Sequence, residues 1–265
     1  MSPRAIDYLT TAFGLLDGSR VQSEIKAAAE RERDLATIID TSRPVRILDL
    51  ANGRLRPQYQ LLQAAGHKVY GIDLANYPAQ DLIGQAYILA RWLFHWHIPN
   101  GRKALPAGGL ICGDVGRLPF CDSLFDLITS MSAFEHFQDV PSAVAEMHRV
   151  LRTSGLAWVR IHPFTSLSGG HNLSFTEIPI TKLPHGVEPW DHLRKRKIPF
   201  SVPLNEWRID QYISAFSNYF EILKHYCAVR EGQYLLTTEI KEELANYSPD
   251  ELTCCTYAIL ARKID

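Results

Sequence analysis

Three carboxylates fall at matching places in the sequence. Asp49 stands near the end of Val45-Arg46-Ile47-Leu48-Asp49-Leu50, Asp73 ends His67-Lys68-Val69-Tyr70-Gly71-Ile72-Asp73, and Asp114 ends Leu110-Ile111-Cys112-Gly113-Asp114. Each run is short and rich in apolar or β-branched residues, which predicts a strand. If the strands lie parallel, the three acids share one rim of the sheet. A carboxylate only accepts hydrogen bonds, and it makes the stronger, charge-assisted kind. Such a rim suits a ligand offering a cation, a vicinal diol and an exocyclic amine. Asp73 would accept from both hydroxyls, Asp114 from the amine, and Asp49 would support the turn and the cationic end. A lone acid at a strand end is as readily a solvated turn residue. Three at these intervals, with a glycine-bearing turn behind the first, are hard to explain that way.

The elements that must position these acids alternate along the chain. Residues 3 to about 40 read as helical, with Glu24 to Arg33 rich in helix formers and a break near Asp17-Gly18. After the first strand, helix-compatible sequence runs through Leu61, Leu62, Ala64 and Ala65 to Gly66, a residue that suits the position after a helix C-cap. Leu82, Ala86, Leu89, Leu93 and Trp96 predict an amphipathic helix with that stripe as its apolar face. Phe125 to Met131 is a fourth strand, and Val140, Val144, Met147 and Leu151 mark a helix with Asp139 and Pro141 at its start. Leu156 to Ile161 is a fifth strand. Ile209 to Phe216 reads as helix, Phe220 to Lys224 opens a sixth strand, Ile240 to Tyr247 looks helical, and Cys255 to Ala261 is the last strand.

Strands alternating with helices predict an α/β fold, a single doubly wound Rossmann-like seven-stranded sheet with helices on both faces. Its ligands belong beyond the carboxyl ends of the strands, at the topological switch point. Residues 1–43 are expected to form an N-terminal helical cap and 44–265 the main domain. Within it, the stretch from about 162 to 204 loses periodicity and holds Gly169-Gly170, six prolines and four histidines, the composition of an inserted lid or binding loop.

Composition narrows the function classes. Lys and Arg number 28 against 29 Asp and Glu, so no basic excess points to a nucleic-acid partner or a polybasic membrane anchor. No apolar run approaches the roughly 20 residues of a membrane span, and no leader-like apolar segment opens the chain. Five cysteines without regular spacing make a poor disulfide or zinc framework, which suits a reduced, cytoplasmic protein.

The ordered motifs resemble those of the class I S-adenosylmethionine (SAM)-dependent methyltransferases. Asp49-Leu50-Ala51-Asn52-Gly53-Arg54-Leu55 is similar to that family's first motif, D-x-G-x-G-x-G, with Ala51 and Leu55 where glycines are usual. Gly71-Ile72-Asp73, Gly113-Asp114-Val115, Leu118-Pro119-Phe120, Phe125-Asp126 to Ser130, Glu135-His136, and Glu146, Arg149-Val150-Leu151 and Gly155 follow at family spacing, over about residues 45 to 162. The resemblance implies SAM as cofactor. Its site would be built from Asp49, Ala51 and Gly53 in the first turn, Asp73 and Leu74 after the second strand, Asp114 and Val115 after the third, and Ser130 in the fourth. It implies methyl transfer to a small molecule, with the N-terminal helices over the cofactor cleft. A methyltransferase-like binding protein without turnover, and methylation of a macromolecule, are the alternative readings. A nicotinamide site fits less well, because Asp49 closes the first strand where a pyrophosphate would need glycines.

The acceptor would approach from the ends of the fourth and fifth strands. His136 and His162 are candidate general bases there, and their clustering favours an oxygen acceptor. His171, Trp190, Asp191 and His192 are candidate substrate contacts, each with a plain reading as loop or anchor residue. Among His162, His171, His185 and His192 no pair has the spacing of a metal-binding helix, so no metal is expected. The aromatic helix carrying Trp92, Phe94 and Trp96 suits core packing or contact with a second copy in a homodimer.

Overall fold

The computed structural model describes residues 14–16, 18–75, 82–99, 109–171, 183, 186–200 and 202–264. The first helix, α1 (Ser19–Leu35), follows Gly18, whose left-handed φ of 80° sets the entry. Then come β1 (Arg46–Leu50), α2 (Pro57–Ala64), β2 (Lys68–Asp73), α3 (Leu82–His97), β3 (Leu110–Cys112) and β4 (Phe125–Met131). A short 3-10 turn, Phe134–His136, leads into α4 (Val140–Val150) and β5 (Leu151–Ile161). The chain ends with α5 (Asp191–Arg194), α6 (Ile209–Ser217), β6 (Phe220–Arg230), α7 (Thr238–Glu243), α8 (Pro249–Leu252) and β7 (Cys254–Lys263).

The strands form one seven-stranded sheet in the order β3-β2-β1-β4-β5-β7-β6. The pairs from β3 to β5 are parallel, and β7 runs antiparallel between β5 and β6. The α/β reading of the sequence holds. Because β1 pairs with β2 on one side and β4 on the other, the chain reverses its winding there. That opens a crevice at the carboxyl ends of β1 and β4.

Alternating side chains supply both faces. Leu48 and Leu50 of β1 pack with Val144, Met147, Tyr212 and Phe216 of α4 and α6. Ile47 turns the other way, into a cluster with Leu35 of α1, Tyr59 and Leu62 of α2, and Trp158 of β5. Asp49 therefore points to the α1–α2 side. The expected cap of α4 is present, since Asp139 accepts from Ser142 N–H at 3.0 Å with Pro141 in the first turn.

Several sequence expectations change in the fold. The stripe Ala86, Leu89 and Trp96 on α3 is exposed, and Phe94 and Ile98 are buried instead, packed with Leu15, Val21, Leu55 and Leu61. The exposed rings of Trp92 and Trp96 lie 5.5 Å apart. The segment after β5 is not an open loop at its start. Residues 161 to 170 are all buried, and Trp190 is fully enclosed with Leu167, Ile240, Leu244 and Leu252. The helix expected over 240–247 ends at Glu243, and Ser248 caps a separate turn at α8.

Candidate active site

The turn after β1 builds the crevice wall. Ala51 N–H donates to Ile72 O at 2.7 Å, which ties the turn to β2. Ala51, Gly53 and Arg56 all have left-handed φ, at 50°, 65° and 56°. Only glycine adopts that region without a Cβ penalty, so Ala51 and Arg56 hold it at a small cost. Leu55 has a structural reason to replace glycine. It is buried among Val21, Leu61 and Phe94 and fastens the turn to α1 and α3.

A cavity of about 690 Å³ opens here, lined by Asp49, Ala51, Asn52, Gly53 and Met131, with Arg20 and Glu24 supplied by α1. Helix α1 thus contributes two charged side chains to the wall of this cavity. Asp49 is 2% exposed and accepts from Thr129 Oγ1 at 2.9 Å. Burial raises its carboxyl to about 7, against the Thr129 hydrogen bond and the nearby Arg31 charge, which pull it down, while Glu24 pushes it further up.

A smaller cavity of about 120 Å³ adjoins it, lined by Asn52, Arg56, Asp73, Ala75, Ile111 and Cys112. Asp73 Oδ2 accepts from Gly53 N–H at 2.8 Å and Oδ1 from Ala75 N–H at 3.1 Å. Asn52 lines both cavities, and its buried Nδ2 donates no hydrogen bond. Gly71 lies beneath it, where a Cβ would come within 2.1 Å of that nitrogen. A buried donor without a partner beside two carboxylates fits a polar, nucleoside-bearing ligand.

The remaining cofactor candidates are placed less directly. Asp114 is exposed, and its Oδ1 accepts from Gly116 N–H at 2.8 Å in a tight turn after β3. Leu74 is 72% exposed beside the small cavity. Val115 is buried in the core against Ile72 and Leu118. Ser130 is fully buried and its hydroxyl donates to Leu50 O at 3.4 Å, so Met131 and Ser132, not Ser130, line the crevice at β4.

At the ends of β4 and β5 the fold gathers three histidines. The His136 ring stands edge-on to His171 at 4.9 Å, and His171 lies 5.0 Å from His162. His136 Nδ1 bonds Pro203 O at 3.0 Å, so that nitrogen carries the proton and Nε2 keeps the lone pair. His162 Nε2 lies 2.7 Å from Ser168 Oγ, and that hydroxyl, like Ser168 N–H, is held by Glu231 Oε1. With the Ser168 proton directed at Glu231, His162 donates from Nε2, and its Nδ1 is the basic nitrogen. Burial lowers His162 to about 4 despite the Glu231 charge. Burial, reinforced by His162 and His136, lowers His171 to about 2. Glu135, 1% exposed beneath them, is pushed up to about 8 by burial.

The other three substrate candidates turn out to hold the chain together. Trp190 is fully buried with Nε1 donating to Leu252 O at 3.0 Å. Asp191 accepts from Ile198 N–H at 3.0 Å and closes its own turn. His192 is 1% exposed, and its Nε2 bonds Phe164 O at 2.7 Å. These contacts give the three side chains a part in anchoring the segment, with His192 Nδ1 buried and making no hydrogen bond. His185 lies outside the described residues. Asn52, Glu24 and Glu231 were missed. Asn52 sits inside the recognised first motif, whereas Glu24 and Glu231 carry no local signal.

Comparison with known proteins agrees with this construction. Residues 48–159 match the model of a methyltransferase domain family. A demethylmenaquinone methyltransferase of Streptomyces avermitilis is 27% identical over 123 residues, 46% of this chain and 45% of that protein. A malonyl-[acyl-carrier protein] O-methyltransferase of Laribacter hongkongensis is 29% identical over 166 residues, 56% of this chain and 52% of that protein. The chain spans about half the length of the curated relatives it matches. The PH0226 protein of Pyrococcus horikoshii shares the fold with a TM-score of 0.52 at 20% identity, over 89% of this chain and 91% of that one. The matched residues run from β1 into β5 and take in the first turn with both Asp49 and Asp73 of the crevice.

Proposed function

We propose that the protein transfers the methyl group of SAM to a small-molecule oxygen acceptor. The observation that carries this reading is the paired cavity at the β1–β4 crevice, with Asp49 in one part, Asp73 in the other, and the Asn52 amide between them. Asp49 would face the ammonium of the cofactor's amino-acid end. Asp73 would accept from the ribose hydroxyls, and Asn52 Nδ2 would donate into the same ligand. SAM supplies an electrophilic methyl on a sulfonium; the protein's part is to orient donor and acceptor in line and exclude water.

A hydroxyl acceptor benefits from a base. His136 is the better placed, because its side chain is 35% exposed while His162 is buried and held by Ser168. The curated relatives include an O-methyltransferase by name, which supports oxygen without fixing it. Balanced charge favours a small substrate over nucleic acid. The described helices include none long and apolar enough to cross a membrane, and all five cysteines are free thiols, which supports a cytoplasmic setting.

Calorimetric titration with SAM and with S-adenosylhomocysteine tests the reading. Micromolar binding that Asp73→Ala weakens about a hundredfold or more is expected, the worth of two charge-assisted hydrogen bonds. Unchanged affinity in that variant rejects the ribose assignment. No binding of either compound at millimolar concentration moves the protein to the non-turnover reading.

A further inference from the structure

We propose that Glu135, His162 and His171 bind a zinc ion. One ligand atom from each lies within 4.8 Å of the other two. A tetrahedral zinc with bonds of about 2.0–2.1 Å spaces its ligand atoms roughly 3.4 Å apart. The group is thus within about 1.5 Å of closing on an ion. The three residues come from three places: the 3-10 turn after β4, the first residue after β5, and the end of the buried turn that follows. His171 takes a left-handed φ of 49° there, a conformation that a non-glycine residue adopts only where its surroundings hold it.

Glu135 supplies a second, independent observation. Its Oε1 is buried and accepts no hydrogen bond, and Oε2 takes a long 3.4 Å contact from His162 N–H. Buried carboxyl groups are ordinarily paired, neutralised by a proton or bound to a metal. His136 Nε2 stands 3.9 Å from Oε1, beyond hydrogen-bond range.

The outer support that a ligating histidine needs is also in place. A metal-bound imidazole donates its other N–H to an acceptor that fixes its ring. Here His162 Nε2 meets Ser168 Oγ, backed by Glu231. Nδ1 is then the nitrogen that would face the ion. Two imidazoles and a carboxylate suit zinc, and three protein ligands leave a fourth position open. A second grouping, His162, Glu231 and Cys255, shares His162. It is the weaker candidate because Ser168 Oγ already bridges His162 and Glu231.

The inference does not depend on methyl transfer, and its test reads metal content. Untagged protein is stripped with chelator, incubated with zinc, dialysed, and assayed by plasma mass spectrometry. About one zinc per chain is expected. His171→Gln and Glu135→Gln should each retain less than a tenth of that, while Cys255→Ser keeps it. Uptake of no zinc by the wild type overturns the site, and so does full retention by both ligand variants. If those variants fail to fold, cobalt titration of the wild type decides. Visible bands of a four-coordinate nitrogen–oxygen site support the proposal. A sulfur-to-cobalt charge-transfer band, or no spectral change, overturns it.

Discussion

Asp49 concentrates the electrostatics of the crevice. Burial raises its carboxyl to about 7, so near neutrality the side chain divides between charged and neutral forms. A folded-state value above the ordinary one means that stability is gained by the protonated form and lost as pH rises through 7. A ligand cation reverses that preference, because it binds the carboxylate. SAM affinity should therefore fall below pH 7, by up to about tenfold per pH unit, with a proton released on binding. Calorimetry in buffers of different ionisation enthalpy measures both. Asp49→Asn should flatten the pH dependence and bind weakly throughout. A wild-type affinity constant from pH 6 to 8 would remove Asp49 from the ammonium site.

At the scale of elements, α1 is fastened by polar contacts as much as by its apolar face. Asp34 accepts from Trp158 Nε1 at 3.0 Å, Lys224 Nζ at 2.6 Å and Tyr226 OH at 2.8 Å. Burial pushes its carboxyl up, but the bonds from Lys224, Trp158 and Tyr226 outweigh it and hold the value below the ordinary one. A depressed value contributes stability that is present above the unfolded pKa and lost as pH falls through the folded one. Arg31, 2% exposed, adds a 2.7 Å bond to Gln58 of α2. Asp34→Ala strands the Trp158 and Tyr226 donors in a poorly hydrated seam. It should cost about 2–4 kcal/mol and lower Tm by roughly 5–10 °C. Because α1 lines the crevice through Arg20 and Glu24, SAM affinity should weaken as well. Scanning calorimetry and titration of the same variant check the two effects.

For the whole molecule, the crevice lies where several packing units meet. Leu55 and Phe94 join the first turn to α1 and α3, while Leu50 and Ile72 belong to the core on the other face. A ligand bound there touches α1, the turn after β1 and the end of β4, and should stabilise these packed elements together. At a hundred times Kd, SAM should add about 2.7 kcal/mol, which raises Tm by roughly 5–10 °C. A Tm unmoved by saturating SAM would mean that binding is confined to a part of the molecule that opens before the rest.

The sheet and its acidic rim were legible because both are local signals. Asp49, Asp73 and Asp114 each follow an apolar run of strand length, and a parallel strand puts its last residues on one edge. What the sequence could not determine is which side chains turn inward once the chain is packed. The α3 stripe at helical spacing predicts a buried face, yet the helix rotates to bury Phe94 and Ile98. Periodicity defines a face without saying what the neighbours offer it. Trp190, Asp191 and His192 read as pocket residues by type, and only the packing of Leu167, Leu252 and Phe164 around them made them anchors. The gathering of Glu135, His162 and His171 is a tertiary fact of the same kind. Their separations along the chain follow no ligand spacing, and they meet because β4 and β5 pair in parallel and end side by side.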